Sequence, residues 1–180
     1  MLTLARKAEA MFHKSIQLAV FLENKPGELS RLARLLGDHD INITAMSIQD
    51  PTEYIQGLFK AREVTSRRIA STASYGAILK EASLLTLIRF VTSEPERSVE
   101  VLSQAGYTVN TAEVVLTIMD NRPGQLASIS ECLAKEKINI DYTYGSALEE
   151  VKKALFVFRV SNTELALKAL GKAETGKKAR

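Results

Sequence analysis

The chain has 180 residues, of which 46% are hydrophobic and 25% are charged, and its formal net charge is +3. This composition is typical of a globular protein with enough apolar residues for one large core or two small ones. No apolar run approaches the roughly 20 residues of a membrane helix, so a membrane protein is excluded. Net charge alone gives no reason to expect nucleic-acid binding. The single cysteine, Cys132, excludes an intramolecular disulfide, and we expect a cytoplasmic protein.

The first 14 residues have the apolar spacing of a helix. Leu4, Ala8, Met11 and Phe12 fall on one helical face. We therefore predict an N-terminal helical extension over residues 1–15.

A first structural unit follows, over residues 16–112. A strand at about 16–22 leads into Pro26 and Gly27, which turn the chain into a helix that reaches about Asp38. The pattern then predicts strands at 42–49 and 84–92, a helix at 93–105 that Gly106 ends, and a short strand at 107–112.

The chain then repeats this unit. Gly124 lies 124 − 27 = 97 residues after Gly27, and the same offset separates Asn42 from Asn139 within two Ile-Asn-Ile sequences. The second copy, over residues 113–171, has predicted strands at 114–119, 138–144 and 154–160 and helices that begin near residues 125 and 162. Gly171 is predicted to end the last helix.

Two copies of a β-α-β-β-α-β unit predict an α+β fold of two ferredoxin-like modules, with antiparallel sheets and helices on one face. The offset between copies falls to 160 − 91 = 69 after the second strand, which indicates an insert of 97 − 69 = 28 residues within about 51–83. Copy two stops at Gly171 without a fourth strand, and residues 172–180 form a basic tail. We expect the open sheet edge to be covered by residues 1–14, by the insert or, preferably, by a second copy in a homodimer.

The repeated turn offers groups that bind a free amino acid. A helix N-terminus presents backbone N–H groups and a partial positive charge that suit a carboxylate. Gly27 and Gly124 allow a ligand close to the backbone, and the amides of Asn24 and Asn121 both donate and accept hydrogen bonds. An asparagine before Pro-Gly is equally explained as part of the turn itself.

The sequence Glu-Asn-x-Pro-Gly-x-Leu, followed after a helix by Ile-Asn-Ile, resembles the ACT domain, a small-molecule-binding regulatory module of amino-acid metabolism. The resemblance covers about 16–171 apart from the insert. It implies the sheet order 4-1-3-2 and an amino acid bound where two modules pair, which matches Asn24 with Asn139 and Asn121 with Asn42. The ligand-binding residues that we predict are Asn24, Pro26, Gly27, Leu29, Asn42, Asn121, Pro123, Gly124, Leu126 and Asn139.

The resemblance also bears on the ligand. Serine-sensing members have a histidine two residues before the turn asparagine, where this chain has Leu22 and Met119. A more apolar amino acid is therefore expected, and it would rest against Leu22, Leu29, Met119 or Leu126.

We predict no catalytic activity, no cofactor and no metal. The sequence Asp38-His39-Asp40 is interpreted as a solvated helix end, and Cys132 as a structural thiol.

One alternative is a regulatory small subunit of a biosynthetic enzyme such as acetolactate synthase, which the stretch from Leu22 to Leu32 also resembles. Another is an anionic or nucleic-acid partner, which is less favoured and would bind Lys60, Arg62, Arg67, Arg68, Lys177, Lys178 and Arg180.

Overall fold

The structure, a computed structural model, describes residues 11–53, 55–57, 76, 79–148 and 152–178. The strands are β1 (Phe12–Glu23), β2 (Ile43–Gln49), β3 (Leu85–Thr92), β4 (Val109–Asp120), β5 (Ile140–Leu148) and β6 (Lys153–Val160). Outside the insert the helices are α1 (Glu28–Gly37), α2 (Pro95–Gln104), α3 (Gln125–Lys135) and α4 (Thr163–Lys178). Within the insert, residues 51–53, 55–57, 76 and 79–82 are helical, and most of the remainder, including Lys60, Arg62, Arg67 and Arg68, lies outside the described residues.

The chain divides into two compact units. The contiguous unit comprises Leu18–Asn110, and the split unit comprises the chain through Gln17 together with the chain from Thr111 onward. These boundaries cut β1 and β4, so that each of these two strands begins in one unit and ends in the other.

The contiguous unit has the strand order β2-β3-β1, with the beginning of β4 as its fourth member. β2 and β3 pair antiparallel, and Met46 lies opposite Phe90. Alternate residues of β1 point to one face, where Leu18, Val20 and Leu22 pack against the apolar sides of α1 and α2. The buried core consists of these residues with Leu32, Leu36, Ile41, Ile88, Phe90, Val101 and Leu102.

The split unit repeats this arrangement. Its order is β5-β6-β4, and β4 and β5 each pair antiparallel with β6. The first half of β1 takes the position beside β4. Its core is formed by Val115, Met119, Ile129, Leu133, Ile138, Ala154, Phe158, Val160, Ala166 and Leu170. Both units therefore have the predicted α+β architecture, with the strand order 4-1-3-2 that the resemblance implied.

The first half of β1 supplies the strand that copy two lacks in sequence. The Thr117 hydroxyl donates a hydrogen bond to the Met11 carbonyl at 2.7 Å, and Phe12 packs against the core of the split unit. The Lys14 ammonium forms ion pairs with Glu113 and, at 3.3 Å, with Glu164. Residues 12–17 therefore lie along this sheet edge, and the first three of them belong to the N-terminal segment that we considered as one of its covers.

The same segment corrects the predicted N-terminal helix. Residues 12–14 were predicted to be helical, but they lie in β1, and residues 1–10 lie outside the described residues. In a strand, Phe12 shares a face with Lys14 and Ile16, and the burial of Phe12 against a core outweighs the helical spacing of four residues.

Three other predicted features differ from the structure. The strands predicted at 107–112 and 114–119 are one continuous strand, β4. Gly171 does not end the last helix, because α4 continues to Lys178. Ser93 and Ser161 make the same contacts in the two copies, so the later offset is 161 − 93 = 68 and the insert has 97 − 68 = 29 residues.

A buried polar contact lies on the face of the split unit's sheet that points away from the core formed with α3 and α4. Gln17 is only 1% exposed, and its side-chain amide donates to the Tyr142 hydroxyl at 2.7 Å and accepts from the Tyr144 hydroxyl at 3.1 Å. β4 and β6 lie between β1 and β5 in the sheet. The long side chains of Gln17, Tyr142 and Tyr144 reach over these two strands, so the bonds join β1 to β5. The buried residues Leu116 and Val157 lie opposite each other on those strands.

Gly145 lies where a side chain would have no room. A Cβ atom there would lie 2.4 Å from the Leu155 carbonyl oxygen and 2.6 Å from the Phe156 ring. The corresponding residue of copy one is Ile48, because 145 − 97 = 48, and Ile48 lies opposite Ile88 as Gly145 lies opposite Phe156. The two copies therefore fill the same place with different pairs of residues.

Candidate functional site

Each copy of the repeated turn begins where a first strand ends, and it is held by the strand beside it. The Asn24 N–H group donates to the Leu84 carbonyl at 2.8 Å, and the Asn121 N–H group donates to the Lys152 carbonyl at 2.8 Å. The Asn24 side chain also donates to the Ser83 carbonyl at 3.3 Å. The corresponding contact of Asn121 would involve residue 151, which lies outside the described residues.

The glycine of each turn has a left-handed backbone conformation at the start of the helix. Gly27 has φ = 96° and Gly124 has φ = 85°. No atom lies within 4 Å of the place that a Cβ would occupy at either position, so the backbone angle, and not a lack of space, favours glycine.

Neither helix is capped by a side chain. Gly27 and Gly124 are the N-cap residues of α1 and α3, and no side chain makes a capping hydrogen bond in either case. The first helical bonds are Arg31 N–H to the Gly27 carbonyl and Ser128 N–H to the Gly124 carbonyl, both at 2.9 Å. An uncapped first turn leaves N–H donors and the positive end of the helix dipole open to an anion, although in copy two the Gln125 N–H group already donates to the Arg122 carbonyl at 3.2 Å.

Charged side chains flank both turns. The Lys25 ammonium pairs with Glu23 and lowers the pKa of that carboxyl, and the pKa of the Lys25 ammonium is raised by the same contact. In copy two the Lys153 ammonium donates to Asp120 at 2.7 Å and lowers the pKa of the Asp120 carboxyl. Charged side chains therefore lie beside both turns.

The apolar residues near the turns differ in their exposure. Leu22 and Met119 are buried in the two cores, which leaves little of their surface to a ligand. Leu29 is partly buried against the core of the contiguous unit, whereas Leu126, its counterpart, is 40% exposed. Pro26 and Pro123 are exposed.

The predicted asparagines of strand two lie far from the turn of their own copy. The Asn42 N–H group donates to the Ser93 hydroxyl at 3.1 Å, just after β3 ends, whereas Asn24 contacts Leu84, just before β3 begins. β3 has eight residues, so the two asparagines are separated by about 26 Å at roughly 3.3 Å per residue. One free amino acid cannot span that distance.

Copy two has the same arrangement. The Asn139 N–H group donates to the Ser161 hydroxyl at 3.1 Å, and Asn121 contacts Lys152 at the other end of β6. The Asn139 side chain also donates to the Asp141 carboxylate at 3.0 Å. Each unit alone thus brings together the turn residues but not the turn asparagine with the strand-two asparagine.

The contacts of Ser93 and Ser161 with the strand-two asparagines were not predicted from the sequence. Each hydroxyl accepts from the asparagine N–H group, and each serine N–H group donates back to the asparagine carbonyl, at 2.9 Å in copy one and 3.0 Å in copy two. The sequence did hold a signal for these contacts. A serine directly follows the third strand in both copies, and the two serines are 68 residues apart.

The described residues were also compared with the requirements of a metal site and of a membrane span. Among the residues that it describes, no three metal-ligating side chains cluster. His39 lies at the end of α1, where its Nδ1 atom is 2.8 Å from the Leu35 carbonyl oxygen. None of the described helices combines the length and the apolar character needed to cross a membrane.

A shallow pocket of about 450 Å³ lies where β6 meets α4. It is lined by Thr111, Glu113, Arg159, Ser161 and Glu164, among others. Arg159 donates to the Glu113 carbonyl at 2.7 Å, and Lys14 holds both glutamates, so its charged groups already have partners within the unit.

Comparison with solved structures shows the same fold in other proteins. A protein from Bacteroides thetaiotaomicron superposes with a TM-score of 0.66 at 25% sequence identity, over 92% of this chain and 92% of that one. The regulatory subunit of aspartate kinase from Thermus thermophilus, in its ligand-free form, gives a TM-score of 0.53 at 12% identity, over 91% of this chain and 99% of that one. The structure of aspartokinase alpha and beta subunits gives a TM-score of 0.54 at 17% sequence identity, over 92% of this chain and 98% of that one.

Sequence comparison identifies the family. No curated protein matches the chain. The profile of the ACT domain matches residues 16–82, and the profile described as an ACT domain pair matches residues 58–172, which is more than half of the chain. With two β-α-β-β-α-β units and two matching turns, the chain belongs to the ACT domain pair family.

Proposed function

We propose that the protein is a non-catalytic regulator of amino-acid metabolism that binds a free amino acid at its repeated turns. The observation that carries this proposal is the uncapped helix N-terminus behind a left-handed glycine, which occurs in both copies. The ligand carboxylate would accept from first-turn N–H groups, and the turn asparagine would receive its ammonium.

A complete site takes its second asparagine from a different ACT module. The turn asparagine and the strand-two asparagine of one unit lie at opposite ends of a strand, so one unit cannot supply both. We pair Asn24 with Asn139 and Asn121 with Asn42, as the resemblance implies. The second module belongs to this chain or to another copy in a homodimer, and light scattering at high concentration would detect the homodimer.

Regulation would follow from a difference in affinity. A ligand that binds one arrangement of the modules more tightly shifts the population toward that arrangement, and a partner that recognises it responds. A separate biosynthetic enzyme is the partner that we propose, because structures of the same fold include a regulatory subunit of an enzyme. Copurification from cells would identify it, and recovery of an acetolactate synthase catalytic subunit would favour that alternative.

The test is a thermal-shift screen of the full chain against the twenty amino acids. At a ligand concentration 100 times the Kd, binding stabilises the folded state by about 2.7 kcal/mol, which raises the Tm by roughly 5 to 10 °C for a chain of this size. Asn24→Ala and Asn121→Ala combined in one chain should reduce the shift, whereas Asn110→Ala, at an exposed position in β4, should leave it unchanged. A shift that survives both turn substitutions would contradict the site.

A further inference from the structure

The two turns share two charged positions and differ at three others. Glu23 corresponds to Asp120, and Lys25 corresponds to Arg122, so these charges are the same in both copies. Copy one has in addition Glu28 and Arg31, where copy two has the neutral residues Gln125 and Ser128. Copy two has in addition Lys153, where copy one has Leu85.

Glu28 places a carboxylate of the protein itself in the first turn of α1. Its side chain is only 11% exposed, and its oxygens lie 2.9 Å from the Arg31 guanidinium and 3.7 Å from the Lys25 ammonium. Contact with Lys25, which lies within the turn, places this carboxylate at the helix N-terminus. A buried charge is screened less by solvent than an exposed one, so it acts strongly on a second carboxylate nearby.

Arg31 is not available to compensate for a second carboxylate. Its guanidinium is fixed by Glu28 and also by Tyr107, because the Arg31 Nε–H group donates to the Tyr107 hydroxyl at 3.1 Å and the guanidinium carbon lies 5.5 Å from the ring centre. Lys25 is shared between Glu23 and Glu28. The charges of Glu23, Lys25, Glu28 and Arg31 sum to zero.

The second turn is different. Gln125 occupies the place of Glu28 and carries no charge, and Asp120 is paired with both Lys153, at 2.7 Å, and Arg122, at 3.2 Å. The charges of Asp120, Arg122 and Lys153 sum to +1. An anionic group that approaches α3 therefore meets the helix dipole and a positive excess, and meets no carboxylate in the first helical turn.

We infer that Glu28 makes the two turns unequal: the turn at Asn121–Gly124 takes the carboxylate of an amino acid, and the turn at Asn24–Gly27 rejects it. This inference rests on the proposed function and adds its selectivity. Each chain then binds one carboxylate ligand, and Glu28 and Gln125 are the specificity-determining residues. The first turn serves the fold, and its glutamate repels a second carboxylate.

Calorimetric titration of the full chain with each of the twenty amino acids tests this inference. We expect one binding event per chain, which Gln125→Glu weakens at least tenfold. Glu28→Gln should add a second event, with a Kd within about tenfold of the first. The amide of the amino acid that binds, which lacks the carboxylate, should discriminate much less between the wild type and Gln125→Glu.

Matched controls separate charge at the turns from charge elsewhere. Glu96→Gln removes an exposed acidic residue from the first turn of α2, and Gln104→Glu adds one at an exposed position, so neither should change the stoichiometry or the affinity. Glu28→Gln and Gln125→Glu are close in size to the residues they replace, and an unchanged Tm without ligand would show that both fold.

Three outcomes overturn the inference. Two equal binding events in the wild type, reduced equally by Asn24→Ala and Asn121→Ala, would contradict it and leave the proposed function standing. An affinity that Gln125→Glu leaves unchanged would do the same. Absence of binding for all twenty amino acids in every variant would overturn both the inference and the proposed function.

Discussion

The two copies of the repeat have the same backbone at the turn and different side chains around it. Gly27 and Gly124 have φ angles of 96° and 85°, and the hydrogen bonds from Asn24 and Asn121 to the neighbouring strand have the same length. Glu28 against Gln125 and Leu85 against Lys153 then change the charge that this backbone presents. The same backbone geometry can thus carry different charges, and from this difference we infer that the two copies bind a ligand unequally.

The largest effect is expected where the copies fill the same place with different residues. Gly145→Ile puts the residue of copy one into copy two, where even a Cβ would lie 2.4 Å from the Leu155 carbonyl oxygen. Overpacking against backbone should lower the free energy of unfolding by about 3 kcal/mol. Urea denaturation measures the loss, and Ala147→Ile, at an exposed position of the same strand, is the control. Equal losses for the two variants would show that the crowding at Gly145 is relieved without cost.

A second comparison concerns the residue that begins the buried stretch of each first strand. Gln17 corresponds to Val114, because 114 − 17 = 97, and both are fully buried. Gln17→Val gives both copies the same residue but removes the hydrogen bonds to the Tyr142 and Tyr144 hydroxyls. We expect a loss of about 2 kcal/mol in the free energy of unfolding. A double-mutant cycle with Tyr144→Phe checks that the loss comes from this contact, since the two effects should then be less than additive.

A third comparison tests whether the two turn glycines are equivalent. Gly27→Ala and Gly124→Ala place a Cβ in open space but force an unfavourable positive φ, so each should lower the free energy of unfolding by about 1 kcal/mol. Gly37→Ala is the matched control, because Gly37 ends α1 without a positive φ and also has open space around it. A gain or no change is expected there. Very different losses at Gly27 and Gly124 would contradict the equivalence of the two backbones.

The smallest effect is expected from the exposed ion pairs. The pKa of Asp120 is lowered in the folded state by Lys153, so the pair stabilises the protein above the ordinary pKa of aspartate, about 3.9, and this contribution disappears as the pH falls through the lowered value. Asp120→Asn should therefore reduce stability slightly at neutral pH and not at about pH 2. Glu23→Gln is the counterpart in copy one, with the same sign. If the stability of Asp120→Asn differs from that of the wild type by the same amount at low and at neutral pH, the ion pair does not stabilise the protein.

The repeat explains why much of the fold could be predicted from the sequence. An offset of 97 residues locates both turns, and the apolar spacing of Leu32 and Leu36 predicts a helix side that is indeed buried. β4 was wrongly predicted as two strands, although no glycine or proline separates the two predicted parts. Gly171 was misread as the end of α4, since a glycine inside a helix is tolerated at a cost of only about 1 kcal/mol.

The position of residues 12–17 could not be predicted from local signals. Met11 and Thr117 come together over a sequence separation of 106 residues, and the pattern near Phe12 fits a helix as well as a strand. The candidate site shows the same limit. The turn residues are neighbours in sequence and were predicted together, whereas the separation of Asn24 from Asn42 depends on which end of β3 each one contacts.

The division of β1 has a consequence for the order of folding. The contiguous unit, Leu18–Asn110, is present in full once its last residue leaves the ribosome, but residues 12–17 must wait for β4, which follows about a hundred residues later. Contacts of such high sequence separation form slowly, because a long loop must close first. Pulse-labelling hydrogen exchange during refolding should therefore protect β3 before the first half of β1. Residues 12–17 are thus synthesised before the contiguous unit but are expected to reach their place after it.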